Sequence, residues 1–480
     1  MAARLASKRR ESRFEAVQES FRSGRNEGIV SEKEELQESA LDHRPTLLRD
    51  RSFWGIALTQ FLGAFNDNVF KQIVLLLALP VAANAMVAGG APAVNAMQAN
   101  DDMQGWATFV FSIPFVVFSG FAGYLSDRYS KTPIIVYAKV AEIAIMVLGL
   151  VAFYFYGSLG MWGTWTVLFL MATQSAFFGP GKYGVLPELF RPTDLPKANG
   201  LILMSTFLAI IFGVTFAGKL MTWLVGEDMS STDQLWIGSM ICIVIAISGT
   251  LSSLMIRLTA PAQPNATLTA DAFGLNKDII QLLRTDKPLL SALLVSCVFW
   301  MVASIAMPAV NQAGRNMLQL SMEETSLLVG MIAVGIMVGA PLGGYLCRVI
   351  PGQTAVTLGL WGIVVSLLLL GFWQGNALWL SASMTRLTLI GLGISAAIYS
   401  IPLQVFLQDR PPNELKGRMI ATMNQANFLG MMLAGPLYQL FLQIAKWLQF
   451  PVSSVFWMIG LMVIPLAIGY RMGGRNPPKD

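Results

Sequence analysis

Charged residues, histidine and cysteine are all scarce in this chain of 480 residues. Charged residues make up 13% of it, against about 25% in soluble domains, which argues against an ordinary soluble fold. The only histidine, His43, lies in a polar N-terminal segment, and this excludes a histidine metal site and a histidine-based catalytic triad. Cys242, Cys297 and Cys347 show no metal-type spacing, and we expect them to pack as small apolar residues.

The chain is instead rich in long runs of apolar residues. Apolar residues make up 54% of the chain, and they recur in runs of about 20, the length that a helix needs to cross the hydrocarbon core. Lipid cannot hydrogen-bond the backbone, so such runs must be helical, and they lack the alternation of barrel strands. We predict an all-α integral membrane protein with twelve transmembrane helices, at residues 53–82, 105–126, 132–156, 162–186, 197–224, 235–258, 289–312, 323–349, 354–374, 377–407, 415–444 and 450–471.

The net charge of +5 is unevenly distributed along the chain. Basic residues gather in alternate loops and tails, at 4–13, 128–131, 191–197, 257–287, 410–418 and 471–479. The opposite loops carry acidic residues such as Asp102 and Glu324. By the positive-inside rule, we expect both termini in the cytoplasm. Because the positive charge is divided among loops that flank the membrane, nucleic acid is not an expected partner.

The loop between the second and third apolar runs concentrates charge. It reads Gly-Tyr-Leu-Ser-Asp-Arg-Tyr-Ser-Lys over 123–131. This pattern resembles the G-x-L-x-D-R-x-x-K/R loop of the major facilitator superfamily, at the place where that family has it. From their position at the end of a span, we expect Gly123, Asp127, Arg128 and Lys131 to act in gating: they would tie the first half to a neighbouring helix and bias a conformational equilibrium.

An internal repeat divides the membrane part in two. The segment 191–197 recurs at 410–416, an offset of 219, and Gly-Tyr-Leu at 123–125 recurs at 344–346, an offset of 221. These offsets support two parallel six-helix halves, as in the superfamily. The expected domains are a polar, disordered cytoplasmic tail, two halves with a cytoplasmic linker between them and a short cytoplasmic tail, at 1–52, 53–258, 259–288, 289–472 and 473–480. The first tail is either solvated or held against anionic membrane lipid.

Polar residues inside apolar spans are the candidates for a substrate site, because they are costly in hydrocarbon. The first span carries Asn66, Asp67, Asn68 and Lys71, and the third carries Lys139 and Glu142. Asp67 and Lys71 are four residues apart, so both lie on one helical face. Each acid–lysine set is either part of the substrate path or a mutually neutralising structural pair.

Lys182 differs from the other lysines because no acid lies within one turn of it. It follows Gly179-Pro180-Gly181, which suggests a broken helix lining a cavity. We expect it to contact substrate. Weaker candidates, some of which are also explained by hydrogen bonding between helices or by snorkelling, are Lys219, Arg386, Gln404, Asn424, Gln425 and Asn427.

Several of these residues lie in a narrower resemblance, to the lysophospholipid transporter family. The segments 60–68 (QFLGAFNDN) and 180–188 (PGKYGVLPE) are similar to the family's first-helix and P-A-K-Y-G-I-L-P-E stretches, and KANG at 197–200 matches as well. The resemblance implies that the chain moves lysophospholipids across the bacterial inner membrane, where they are reacylated. It also implies that Asp67 and Lys182 lie on the polar substrate path. Some members carry an arginine in helix 7 where this chain reads Ala303–Met307.

Three other functions would each need a different sequence feature. Related proteins are fused to acyltransferases, but the H-x-x-x-x-D motif is absent, since Leu48 stands five residues after His43. No G-x-x-x-x-G-K-[S/T] phosphate loop occurs either, so we expect neither an enzyme nor a cofactor, and any acyltransferase partner would be separately encoded. A membrane scaffold would not need the charges in its spans. A proton-coupled exporter of amphipathic drugs stays an alternative, with Asp67 or Glu142 as its proton site.

Overall fold

The computed structural model describes residues 45–79, 102–191, 193–226, 232–261, 264, 277–374, 377–378, 380–412 and 415–471. These residues form twelve helices of 16 residues or more, α1 to α12: Arg51–Leu77, Gln104–Arg128, Lys131–Tyr154, Tyr156–Gly184, Leu195–Val225, Leu235–Ser253, Lys287–Asn316, Met322–Val349, Gly352–Gly371, Ala382–Asp409, Lys416–Trp447 and Ser454–Gly469. Shorter helical segments are Leu47–Arg49, Leu186–Leu189 and Lys277–Thr285. The predicted all-α architecture is confirmed.

Nine helices in the described ranges are long and apolar enough to cross a membrane. The other three are α1, α4 and α12, of which α12 is apolar but only 16 residues long. Helix α1 carries the charged residues Asp67 and Lys71, which lower its hydropathy. The chain is thus a multi-pass membrane protein, and the full count of twelve crossings stays a prediction.

Two sequence expectations about helix limits are wrong. The tenth helix begins at 382 rather than 377, because Ser381 caps it by accepting a hydrogen bond from the Met384 amide. Residues 377–378 instead form a strand that pairs antiparallel with 373–374. The helix around Lys182 is also unbroken at Pro180: α4 continues to Gly184, and the break follows at Val185.

The strongest departure from helical geometry in α4 is at its other end. Gly160 has φ +53° and ψ −146°, a conformation that glycine adopts without the steric cost borne by other residues. This residue separates the first turn of α4 from the long helix that follows it. The regular part of α4 therefore begins close to the predicted start at residue 162.

The helices pack as two similar six-helix halves. In the first half, α1 packs on α5, α2 on α4 and α3 on α6, and in the second half α7 packs on α11, α8 on α10 and α9 on α12. Each pairing of the second half is thus the first-half pairing with six added to both numbers. The main contacts between halves obey the same relation, since α2 packs on α11 and α8 packs on α5. The structure therefore has the two-fold repeated architecture that the sequence repeat predicts.

The halves meet at the end of the molecule that carries the end of α1 and the start of α2. We call it the outer end, because the loop charges predict that it faces away from the cytoplasm. A Cβ on Gly435 of α11 would lie 2.3 Å from the Gly105 carbonyl oxygen of α2. A Cβ on Gly218 of α5 would lie 2.5 Å from the Ser326 side chain of α8. Such close backbone approach is possible because these positions are glycine.

The opposite end, here called the inner end, carries the loop 128–131. Cβ atoms built on Gly123, Gly200 and Gly344 would meet no atom within 4 Å. Ion pairs near this end include Arg257–Asp50 within the first half and Arg410–Asp286 within the second. The halves are therefore closed against each other at the outer end and apart at the inner end.

The predicted tails lie mostly, and the predicted linker partly, outside the described residues, so their limits stay predictions. The described end of the linker contains the helix Lys277–Thr285, which buries Ile279 and Leu283 in the core of the second half. Asp278 of this helix also bonds Arg418 of α11 at 2.8 Å. The end of the linker is thus attached to the second half.

Candidate functional site

A buried ion pair lies at the centre of the first half. Lys139 and Glu142 of α3 are in contact, and their side chains are 1% and 2% exposed. Asn66 of α1 donates from Nδ2 to Glu142 Oε1 at 2.8 Å. The structural-pair interpretation thus describes Lys139 and Glu142 in this conformation, in which both are enclosed together with Asn66.

Asp67 faces a different set of partners. Its Oδ2 accepts a hydrogen bond of 2.6 Å from Ser175 of α4, and its charge interacts with those of Glu142, Lys139 and Lys182. Lys182 lies about two turns beyond Ser175 along α4, toward the inner end, with its Nζ 6.0 Å from the centre of the Phe178 ring. Asp67 and Lys182 are both partly exposed. These two residues therefore supply opposite charges in the part of the first half that opens inward.

Lys71 does not form a close ion pair with Asp67, which was one of the two interpretations that the sequence left open. Its Nζ lies 4.3 Å from the centre of the Phe111 ring of α2. The attraction between the Lys71 and Asp67 charges acts over a longer distance. Asn68 turns back on its own helix, donating to the Ala64 carbonyl at 2.7 Å.

The second-half candidates are less concentrated. Arg386 of α10 lies 3.6 Å from Glu324 of α8, near the outer end. Asn424 of α11 is exposed, whereas Asn427 is buried and accepts a hydrogen bond from Ser296 at 2.8 Å. The structure therefore does not bring Arg386 and Asn424 into contact with the acids and lysines of the first half. Their substrate roles stay predictions.

The gating loop makes its contacts within the first half. Lys131 is buried and forms an ion pair with Glu188, which lies in the short helix after α4. Arg128 bonds the Tyr124 hydroxyl and lies 5.7 Å from the centre of the Tyr129 ring. Asp127 is exposed. In this inward-open arrangement Lys131 ties the start of α3 to the short helix after α4.

Sequence reasoning missed a polar network that joins the halves at the outer end. Gln72 of α1 donates to Asn311 of α7 at 3.0 Å and to Ser326 of α8 at 3.2 Å, and Asn311 donates to Gln104 of α2 at 2.9 Å. The Tyr438 hydroxyl of α11 lies 2.6 Å from Asp102 Oδ2. We call this network the outer lock; its members are Gln72, Asp102, Gln104, Asn311, Gln312, Ser326, Tyr438 and Gln439.

Asp102 is the one acidic member of the outer lock, and it is 4% exposed. Burial raises its pKa from 3.8 to about 6, although hydrogen bonds from Tyr438 and Gln104 and the charge of Lys446 act in the opposite direction. Ionised Asp102 is therefore enclosed at a free-energy cost when the outer end closes, and protonation removes that cost. Opening would return the carboxyl to water and to its ordinary pKa.

We expect acid to favour the closed outer end. Between pH 7 and pH 5 the protonated fraction rises in the closed state alone, which should raise the closed-to-open ratio about tenfold. The measurement is the distance between spin labels on Trp223→Cys of α5 and Glu323→Cys of α8, both exposed, in protein whose native cysteines are replaced. Asp102→Asn should abolish this dependence, and an unchanged pH response in Asp102→Asn would contradict the assignment.

The sequence carried only a weak signal for these residues. Gln72, Asn311 and Tyr438 lie in three different apolar spans, beside Lys71, Gln312 and Gln439 respectively, and nothing in their spacing indicates that they meet. Ser175, the hydrogen-bond partner of Asp67, is equally inconspicuous. The helix pairing α2–α11 and α5–α8 is what brings such distant positions together.

Comparison with known proteins agrees with this geometry. The family model of the Major Facilitator Superfamily matches residues 56–435. The chain is 24% identical over 417 residues to the lysophospholipid transporter LplT of Yersinia pestis (strain Pestoides F), covering 84% of this chain and 90% of the relative. The narrower sequence resemblance is thus confirmed at a distant level.

Solved structures share the fold at low identity. A POT family transporter, in complex with 5-aminolevulinic acid, superposes with a TM-score of 0.66 at 11% identity, over 87% of this chain and 95% of the other. A bacterial homologue of the iron transporter ferroportin, in an inward-facing state, gives 0.60 at 14% identity, over 88% and 100%. With the family model matching most of its length and the two six-helix halves in place, this chain belongs to the major facilitator superfamily.

Proposed function

We propose that this protein carries lysophospholipids across the bacterial inner membrane by alternating access and so supplies them for reacylation by a separately encoded acyltransferase. The similarity to the Yersinia lysophospholipid transporter supports the substrate class. Loop charges support cytoplasmic positions for both termini, which makes the inner end the cytoplasmic one.

The observation that carries the proposal is that Asp67 of α1 and Lys182 of α4, which are oppositely charged, lie on packed helices of the first half and are both partly exposed. A lysophospholipid carries a phosphate that Lys182 would bind through a charge-assisted hydrogen bond. Some headgroups also carry an ammonium, which Asp67 would accept. Ser175 orients Asp67 by donating to Oδ2 at 2.6 Å, and the second oxygen, Oδ1, makes no hydrogen bond within the described residues, so it is left to accept one from a ligand.

The closed outer end fits one stage of such a cycle. In this conformation the outer lock and the glycine contacts separate the site from the outer side, while the inner end is open. Substrate would leave toward the inner leaflet from here. The reverse closure would need the outer lock to break and the inner loops of the two halves to meet.

The experiment is translocation of labelled lysophospholipid by the purified protein in vesicles, with and without a pH gradient. Protein-dependent movement of the lysolipid supports the proposal. A protein that ignores lysolipids and moves a cationic drug against a proton gradient would be the exporter instead, with the buried Glu142 or Asp67 as the proton site. An acyl-transfer product would indicate an enzyme.

We expect Asp127→Asn to change the conformational equilibrium rather than the choice of substrate. Asp127 lies at the inner end of α2, where Lys131 already pairs with Glu188, and no substrate candidate lies in this loop. The measurement is transport rate together with cysteine accessibility at both ends. A variant with altered substrate selectivity and unchanged accessibility would rule out the gating role.

A further inference from the structure

Lys71 is held in an unusual way for an ammonium inside a membrane protein. It lies on α1 one turn beyond Asp67, and its neighbour Gln72 belongs to the outer lock. Among the residues that the structure describes, no carboxylate lies within 4 Å of its Nζ. Its close contact is the face of Phe111, at 4.3 Å.

This environment compensates the charge only in part. A cation over a phenyl ring gains about 0.5–2 kcal/mol, whereas a charged side chain at the centre of a membrane helix costs about 2.5–3.5 kcal/mol or more. By comparison, Lys139 contacts Glu142 and Lys131 contacts Glu188. Lys71 therefore has unused capacity to bind an anion, and its side chain is partly exposed.

Phe111 connects this position to the opposite half. Its ring lies 5.5 Å from that of Phe115, which stacks on Phe428 of α11 with ring centres 4.2 Å apart. Lys71 thus lies against an aromatic row that crosses between the halves, directly inside the outer lock. An anion passing through the space between the halves would meet it before reaching Lys182, which lies toward the inner end.

The charges of this region do not cancel. Lys139 and Glu142 neutralise each other, and Lys71 and Lys182 then share Asp67. One positive charge is left over among these five residues. A headgroup with a phosphodiester and no amine would neutralise it, whereas a zwitterionic headgroup would leave it uncompensated.

We propose that Lys71 is a second anion-binding residue, beneath the outer lock, and that it makes the site prefer lysophospholipids of net negative charge over zwitterionic ones. This inference rests on the proposed function. It adds to that function a residue and a headgroup class that the pairing of Asp67 with Lys182 does not specify.

The test compares two lysolipids with the same acyl chain, lysophosphatidylglycerol and lysophosphatidylethanolamine, for binding to the protein in nanodiscs. Wild-type protein should bind the glycerol lipid more tightly. Lys71→Met keeps an unbranched side chain against Phe111 and should weaken binding of the glycerol lipid about tenfold. The ethanolamine lipid should lose less than about threefold, because its net charge is zero.

Two further variants separate charge from packing. Lys71→Arg should keep the preference, since the charge survives, and neither variant should unfold at a lower temperature than wild type. Equal losses for the two lipids in Lys71→Met, or no loss for either, would overturn the inference. Wild-type protein that binds neither lipid would instead refute the proposed function, whereas tight wild-type binding with no charge preference would refute the role of Lys71 alone.

Discussion

Lysophospholipid binding should fall about ten- to a hundredfold in Lys182→Ala, because the change removes a charge-assisted contact worth about 1.5–3 kcal/mol. The loss should appear in affinity and in uptake alike, since Lys182 is expected to meet the phosphate that every lysophospholipid carries. Asp67 would also lose a cation that balances its charge. The measurement is equilibrium binding and vesicle uptake with purified protein of verified folding.

Matched variants make this result specific. Lys182→Arg should keep part of the affinity, because the charge survives although its geometry changes. Lys287→Ala is the control. Lys287 is exposed at the start of α7, so this substitution removes the same charge far from the site. Wild-type binding by Lys182→Ala would remove the phosphate role from this residue.

Gly435→Ala should open the outer end. The new methyl carbon would lie 2.3 Å from the Gly105 carbonyl oxygen and 2.8 Å from Phe109 Cβ, and neither backbone nor Cβ can turn aside as a flexible side chain does. Overpacking of this kind costs about 1–3 kcal/mol. Because the contact lies between halves, separation of α2 from α11 relieves it, and the closed-to-open ratio should fall about five- to a hundredfold.

The distance between labels at Trp223→Cys and Glu323→Cys measures this opening as well. Gly344→Ala on α8 is the matched control, because a Cβ at that position meets nothing within 4 Å. The control should leave the label distance unchanged. A Gly435→Ala protein that folds and still closes its outer end would show that the close contact of α2 and α11 is not part of the gate.

Some site residues could be identified from the sequence, because a polar group inside an apolar span has a free-energy cost in hydrocarbon and is therefore conspicuous. Asp67, Lys139 and Lys182 were visible for that reason, and the structure relates all three electrostatically. Their partners were not visible in the same way. Asp67 bonds Ser175 rather than pairing closely with Lys71, because the packing of α1 against α2 and α4 decides which neighbour each side chain of one helical face meets.

The sequence by itself determined that this is a helical membrane protein built as a repeat. Run length, loop charge and the offset of 219 residues are properties of the chain alone, and bilayer thickness and backbone hydrogen bonding leave little choice of structure. Only the tertiary structure decided which end is closed and what closes it. The outer lock joins Gln72 to Asn311 and Asp102 to Tyr438, residues hundreds of positions apart that carry no shared local pattern. Helix packing brings them together, and rigid-body movement of the two halves can separate them again.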